Sequence, residues 1–171
     1  FGIPMVQRLH DLKGRGLVLV PTRELALQVN EAIQKVGRSL GIGTAVLIGG
    51  ESMYRQLEAL RRQPRILIAT PGRMIDHLQQ RSVRLDDIKI LVLDEADRML
   101  DMGFAPQINQ ILKTVPRERQ TLLFSATMPA AIAKIAAAYM KLPVRIEVAP
   151  SGTAAEHVEQ EFIIVNKESK L

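Results

Sequence analysis

Short runs of apolar, largely β-branched residues recur along the chain with amphipathic stretches between them, and this alternation restricts the fold more than any other feature of the sequence. The runs are Gly16–Val20, Thr44–Ile48, Arg65–Ala69, Ile88–Leu93, Thr121–Phe124 and Val144–Val148. They are strand-sized, and near-continuous hydrophobicity marks strands buried on both faces. Between them, Glu24–Leu40, Met53–Leu60, Arg73–Gln79, Phe104–Thr114 and Ala130–Met140 carry apolar residues at three- and four-residue spacing, the helical period. Strands that alternate with helices pair in parallel through right-handed crossovers. The expected fold is therefore α/β, a doubly wound parallel sheet with helices on both faces. At 171 residues, 47% of them hydrophobic, the chain has material for one domain with a substantial core and not for two full ones. A small-residue, breaker-rich stretch begins at Ala149 and predicts a linker over 149–157, followed by a strand-like run at Val158–Val165 within the tail 158–171.

Composition narrows the chemistry. There is no cysteine, so a disulfide framework, a thiolate metal site and a cysteine nucleophile are excluded, and a reducing, cytoplasmic setting is expected. No apolar run approaches the roughly 20 residues that span a bilayer, so no membrane partner is expected. The net charge is +5, and the tail carries Lys167 and Lys170 against Glu156, Glu159, Glu161 and Glu168, which leaves the body more basic than the whole. A basic body suits a polyanion. Aromatic content is 4% with no Trp, so a nucleic-acid partner would be held by its backbone more than by stacked bases. His10, His77 and His157 lack ligand spacing and predict no metal site; Met99, Leu100, Met102 and Phe104 read as packing against the sheet.

All strands of a parallel sheet end on the same edge, and open α/β sheets bind ligands outside that edge. The residues that follow the runs are Pro21-Thr22-Arg23-Glu24, Gly49-Gly50, Thr70-Pro71-Gly72-Arg73, Asp94-Glu95-Ala96-Asp97 and Ser125-Ala126-Thr127. Asp94 and Glu95 deliver adjacent carboxylates to the ligand edge. The first suits a hard cation and the second can orient or deprotonate a water, although the pair could equally open a helix and complement its dipole. Ser125 and Thr127 could bridge Asp97 or cap the helix that follows Pro129. Thr22 with Arg23, Gly49 with Gly50, and Thr70 with Pro71, Gly72 and Arg73 offer hydroxyls, guanidinium groups and free amides suited to phosphates; plain turns leading into helices would use the same residues. None of these groups distinguishes one base from another.

The quartet Asp94-Glu95-Ala96-Asp97 after an apolar strand resembles the name-giving motif of the DEAD-box ATP-dependent RNA helicases, of bacterial type. Ser125-Ala126-Thr127 resembles the third motif of that family, Pro21-Thr22-Arg23-Glu24-Leu25-Ala26 its motif Ia, Gly49-Gly50 its double glycine and Thr70-Pro71-Gly72-Arg73 its motif Ib, in the family's order. The resemblance implies a first RecA-like helicase domain over 1–148, with 158–171 opening the second. It implies ATP and Mg²⁺ as cofactors, Asp94 on the Mg²⁺ side through water, Glu95 as catalytic base, and Asp97, Ser125 and Thr127 as the link to motion between the domains. It further implies RNA gripped by its backbone at Pro21, Thr22, Arg23, Gly49, Gly50, Thr70, Pro71, Gly72 and Arg73. Two rival readings are a DNA helicase of the same superfamily and a non-enzymatic module that binds RNA or a protein partner.

No Gly-x-x-x-x-Gly-Lys-Ser/Thr, the loop that wraps nucleotide phosphates, occurs in these residues. By the resemblance, that loop, the strand leading into it and the glutamine motif for adenine belong upstream, and Phe1-Gly2-Ile3-Pro4 resembles the segment just after them. The expectation is that the real molecule carries such residues before Phe1, since a sheet without that strand would leave neighbouring strands unpaired and would be inactive and poorly stable by itself.

Overall fold

In the computed structural model, which describes residues 1–148, the first five apolar runs form strands β1 (Arg15–Leu19), β2 (Thr44–Leu47), β3 (Ile66–Ala69), β4 (Ile88–Leu93) and β5 (Gln120–Leu123). The predicted linker at 149–157 and the run within 158–171 lie outside the described residues. Helices α1 (Gly2–Asp11), α2 (Arg23–Gly37), α3 (Met53–Arg61), α4 (Pro71–Gln79), α5 (Ala96–Asp101), α6 (Ala105–Thr114) and α7 (Ala130–Tyr139) complete the order. Every strand pairing is parallel, in the sequence β2-β3-β1-β4-β5.

Strand residues alternate between two cores, as the two-residue period of a strand requires. Leu17, Leu19, Leu67, Leu91 and Leu93 face one side, where Met74 of α4, Ile108 and Ile111 of α6 and Ile132 of α7 cover them. Val18, Val20, Ile66, Ile68, Ile90 and Val92 face the other, against Met5, Val6 and Leu9 of α1 and Ala26, Val29 and Ile33 of α2. A Cβ on Gly16 of β1 would stand 2.0 Å from Met5 Cε, so the absence of a side chain there lets α1 lie directly on the sheet.

Three expectations change. The N-terminal segment is helical: Pro4 sits in the first turn, where a missing amide costs nothing, and Met5, Val6 and Leu9 bury one face. Arg65, at the head of the run Arg65–Ala69, closes this helix. Its Nη2 donates to the carbonyls of Leu9 and Leu12 (both 2.6 Å), which the helix end leaves unpaired, and its Nε to that of Gly14 in the loop beyond (2.9 Å). The long helix expected over Glu24–Leu40 ends at Gly37, and a 3-10 turn, Arg38–Leu40, follows and is stopped by Gly41 at φ 68°. Finally, Val144–Val148 is not a strand. Among the described residues β5 pairs only with β4 and this segment takes up no ladder beside it; Val144, Ile146 and Val148 are 86%, 84% and 101% exposed.

Candidate functional site

The strand order distributes the five polar groups along one edge. Gly49-Gly50 follows β2, Thr70–Arg73 follows β3, Pro21–Glu24 follows β1, Asp94–Asp97 follows β4 and Ser125–Thr127 follows β5. The chain runs outward from β1 to β2 and later crosses back to β4, so the topological switch point lies between β1 and β4, where open α/β sheets leave a crevice. The backbone ladder carries on into the loops: Thr70 N donates to Leu47 O (3.1 Å), Val20 N to Ala69 O (3.0 Å), Asp94 N to Leu19 O (3.0 Å) and Phe124 N to Leu93 O (2.8 Å). Each loop therefore leaves the sheet from a fixed point.

On the β4–β5 side, Asp94 is half-buried, and burial followed by the neighbouring Glu95 charge pushes its carboxyl above the usual carboxylate range, against the opposing pull of the Glu95 amide. That amide donates to Oδ1 at 3.1 Å. Glu95 adopts φ 50° and ψ 51°, the left-handed region that a side chain other than Gly, Asn or Asp rarely enters. Backbone strain of this kind collects at functional sites. Glu95 caps nothing with its side chain; its Oε2 instead accepts from Arg98 Nη1 at 3.1 Å. Asp97 Oδ2 accepts from the Thr127 amide (2.9 Å) and hydroxyl (2.8 Å), and Ser125 Oγ accepts from the Asp97 amide (3.1 Å). Burial pushes the Asp97 carboxyl up, but these hydrogen bonds and that from the Arg98 amide outweigh it and hold the group below its ordinary range. Pro129, not Ser125 or Thr127, is the N-cap residue of α7, which has no side-chain cap. Of the two uses left open for these hydroxyls, the geometry takes the bridge to Asp97.

The donor set at Asp94 and Glu95 fits Mg²⁺. Among the described residues no group of three or more His, Cys, Asp or Glu side chains could hold a metal ion. Mg²⁺ asks for less than such a cage: it keeps several waters and takes one or two carboxylates together with phosphate oxygens.

Across the switch point, Thr22 caps α2, its Oγ1 accepting from Leu25 N at 3.2 Å, which keeps the free amides of that helix at the edge. Pro21 is buried beneath it, and Arg23 and Glu24 are exposed. Gly49 leaves open space where a side chain would stand; Gly50 has φ 71°, and a Cβ there would meet Arg23 Nη1 at 2.2 Å. Thr70 and Pro71 are buried, with Pro71 at the first position of α4. Arg73 is turned inward. Its side chain is 13% exposed, its Nη1 donates to Glu51 O (3.0 Å) and its Nε lies 3.3 Å from Asp76 Oδ2. The guanidinium exposed towards a phosphate on this side is that of Arg23, about half exposed and in a loose ion pair with Glu51 at 3.8 Å. Sequence reasoning did not single out Glu51, which stands between the two arginines, nor Gln56. His77, dismissed as a scattered histidine, proves to be fully buried and bonded to Gln56. The signals available were a carboxylate next to the double glycine and a polar residue on the apolar face of a helix.

With this geometry established, comparison with known proteins is direct. The family model of the DEAD/DEAH box helicase matches residues 1–135. The chain is 41% identical over 172 residues to the DEAD-box ATP-dependent RNA helicase CshA of Bacillus subtilis, covering 99% of this chain and 35% of that protein. It is 42% identical to ATP-dependent RNA helicase CshA of Listeria monocytogenes, covering 99% and 33%. The chain thus spans about a third of the length of these relatives. Among solved structures, a DEAD box protein from the hyperthermophile Methanococcus jannaschii superposes with a TM-score of 0.77 at 38% identity, over 82% of this chain and 39% of the other. A hypothetical ATP-dependent RNA helicase from Sulfolobus tokodaii does so with a TM-score of 0.76 at 34% identity, over 82% and 41%. The match of the family model over most of its length, to a parallel sheet carrying Asp94-Glu95-Ala96-Asp97 at the end of its fourth strand, establishes that this chain belongs to the DEAD/DEAH box helicase family.

Proposed function

We propose that the chain is the first RecA-like domain, residues 1–148, of a cytoplasmic ATP-dependent RNA helicase, which couples hydrolysis of Mg-ATP to sequence-independent gripping and local separation of RNA strands. The observation that carries this reading is the division of one sheet edge at the switch point. The carboxylates of Asp94 and Glu95 and the Asp97 bridge lie on the β4–β5 side, and the small, amide-rich loops after β1, β2 and β3 lie on the other. Mg²⁺, when bound, would neutralise charge on the nucleotide phosphates and so ease phosphoryl transfer. Asp94 would hold it through water. Glu95, presented by its left-handed backbone beyond the strand, would orient and deprotonate the attacking water. Asp97, tied to Ser125 and Thr127, would pass the state of this half of the edge to the second helicase domain, a partner expected from the same protein. Thr22, Arg23, Gly49, Gly50 and Gly72 would present amides, a hydroxyl and one exposed guanidinium to the RNA backbone, while the buried Pro21, Thr70 and Pro71 and the inward-turned Arg73 would shape that surface from below. RNA is preferred to DNA because the relatives are named as RNA helicases.

The test is Glu95→Gln in the full-length helicase that carries this chain, with the phosphate loop expected before Phe1 and the second helicase domain both present. Turnover of ATP should fall by about two orders of magnitude or more, the scale of general-base catalysis, while ATP and RNA still bind. Unchanged turnover in a folded variant would remove Glu95 from the reaction.

A further inference from the structure

Among the described residues the core buries three polar side chains, Gln56, Thr70 and His77, and all three sit beneath the loops that follow β2 and β3. Burying a polar amide or imidazole costs about 1–3 kcal/mol unless its hydrogen bonds are made, so an apolar residue would serve packing alone at least as well. Here the bonds are made, and they run in one direction. His77 Nε2 lies 2.8 Å from Gln56 Oε1, which can only accept, so Nε2 is the protonated nitrogen and donates. Gln56 Nε2 then donates to the carbonyl of Ile48, at 2.8 Å. Ser82 Oγ, 2.8 Å from His77 Nδ1 and 3.0 Å from the His77 carbonyl, holds the far side of the ring.

Ile48 immediately precedes Gly49-Gly50, and Glu51 immediately follows. The Glu51 carbonyl accepts from Arg73 Nη1 at 3.0 Å. His77 and Arg73 both belong to α4, the helix whose first turn carries Pro71 and Gly72. α4 therefore holds both ends of the Ile48–Glu51 segment, the second directly through Arg73 and the first through Gln56 of α3, with Gly50 at φ 71° between the two anchors. Among the described residues β2 pairs with β3 alone, so side chains supply the order that a second neighbouring strand would have given.

We propose that Gln56 and His77 are positioning residues that fix the Gly49-Gly50 loop to α4, so that the loops after β2 and β3 meet the RNA backbone as one rigid surface. This rests on the reading of those loops as an RNA-binding surface. Neither side chain touches RNA; each lowers the ordering that binding would otherwise require.

The experiment measures the RNA concentration for half-maximal ATP hydrolysis, the KM for ATP and the melting temperature, in the full-length helicase that carries this chain, its phosphate loop and its second helicase domain. Gln56→Met and His77→Leu should each raise the RNA requirement about tenfold, the scale of a buried carbonyl left without its donor, with the KM for ATP unchanged. The double variant should lose no more than either single one, because the two residues act as one chain. His77→Gln, which restores a donor for Gln56 Oε1, should recover most of the loss. Gln56→Leu likewise lacks the donor to Ile48; it serves as the second variant if Gln56→Met does not fold, and should show the same rise. An unchanged RNA requirement in the folded variants overturns the proposal, as does a rise matched by the KM for ATP or left unrecovered by His77→Gln. Gly49→Ala separates the two levels of the argument, since its methyl enters open space and disturbs nothing in the fold. If Gly49→Ala raises the RNA requirement and Gln56→Met does not, positioning alone fails; if Gly49→Ala has no effect, the RNA reading of the loop fails and the proposal with it.

Discussion

Glu95 shows most clearly what a single residue contributes. A left-handed backbone at a long side chain costs about 1–2 kcal/mol, and among the described residues the Glu95 side chain offsets this only by an exposed ion pair with Arg98. Replacement by Asn, which tolerates that backbone, is expected to keep or raise thermal stability, by up to about 1 kcal/mol, while ATP turnover is lost. A melting temperature that falls by several degrees in Glu95→Asn would show that the conformation is not strained. The carboxylates, the double glycine and the Ser125 and Thr127 hydroxyls were legible in the sequence because each follows an apolar run directly. Glu51, Gln56 and the burial of His77 were not, because their meaning depends on partners on other elements, 21 residues apart in the case of Gln56 and His77.

At the scale of elements, α4 depends on a neutral histidine. Burial, and then the adjacent Arg73 charge, hold His77 below the ordinary histidine range, with Asp76 opposing them. The unfolded chain takes up its proton near the usual value of about 6.5, before the folded chain does, so this contribution to stability is complete above that pH and is lost as pH falls towards the folded value. Chemical denaturation between neutral and mildly acid pH should show a midpoint that falls with acidification, and His77→Gln should flatten that part of the slope. An identical slope in both proteins would mean that His77 does not set it. The strands were readable because burial on both faces leaves uninterrupted apolar runs. Two other elements went unread and one was misread, for physical reasons. The apolar side of α1 is hidden behind Gly2 and Pro4, and α5 has six residues, too few to show a period. Val144–Val148 has the residues of a strand, but a strand is completed by a neighbour's ladder, which composition cannot supply.

Across the whole molecule, the strand order turns a list of motifs into two separable surfaces. Sequence places five polar groups on one edge; only the order β2-β3-β1-β4-β5 assigns three of them to one side of the switch point and two to the other. If that division is functional, charge on one side should govern the salt dependence of RNA binding and leave the nucleotide alone. Each phosphate neutralised on a single strand adds about 0.7 to the slope of log affinity against log salt. Arg23 is the exposed guanidinium among the three loops, since Arg73 is spent on Glu51 and Asp76. Arg23→Gln is therefore expected to lower that slope by about 0.7, with ATP affinity unchanged, whereas Glu95→Gln should shift neither slope nor RNA affinity. RNA titrations across a salt series for the two variants decide the matter. A slope that moves in Glu95→Gln, or that stays fixed in Arg23→Gln, would mean that the edge works as a single undivided surface.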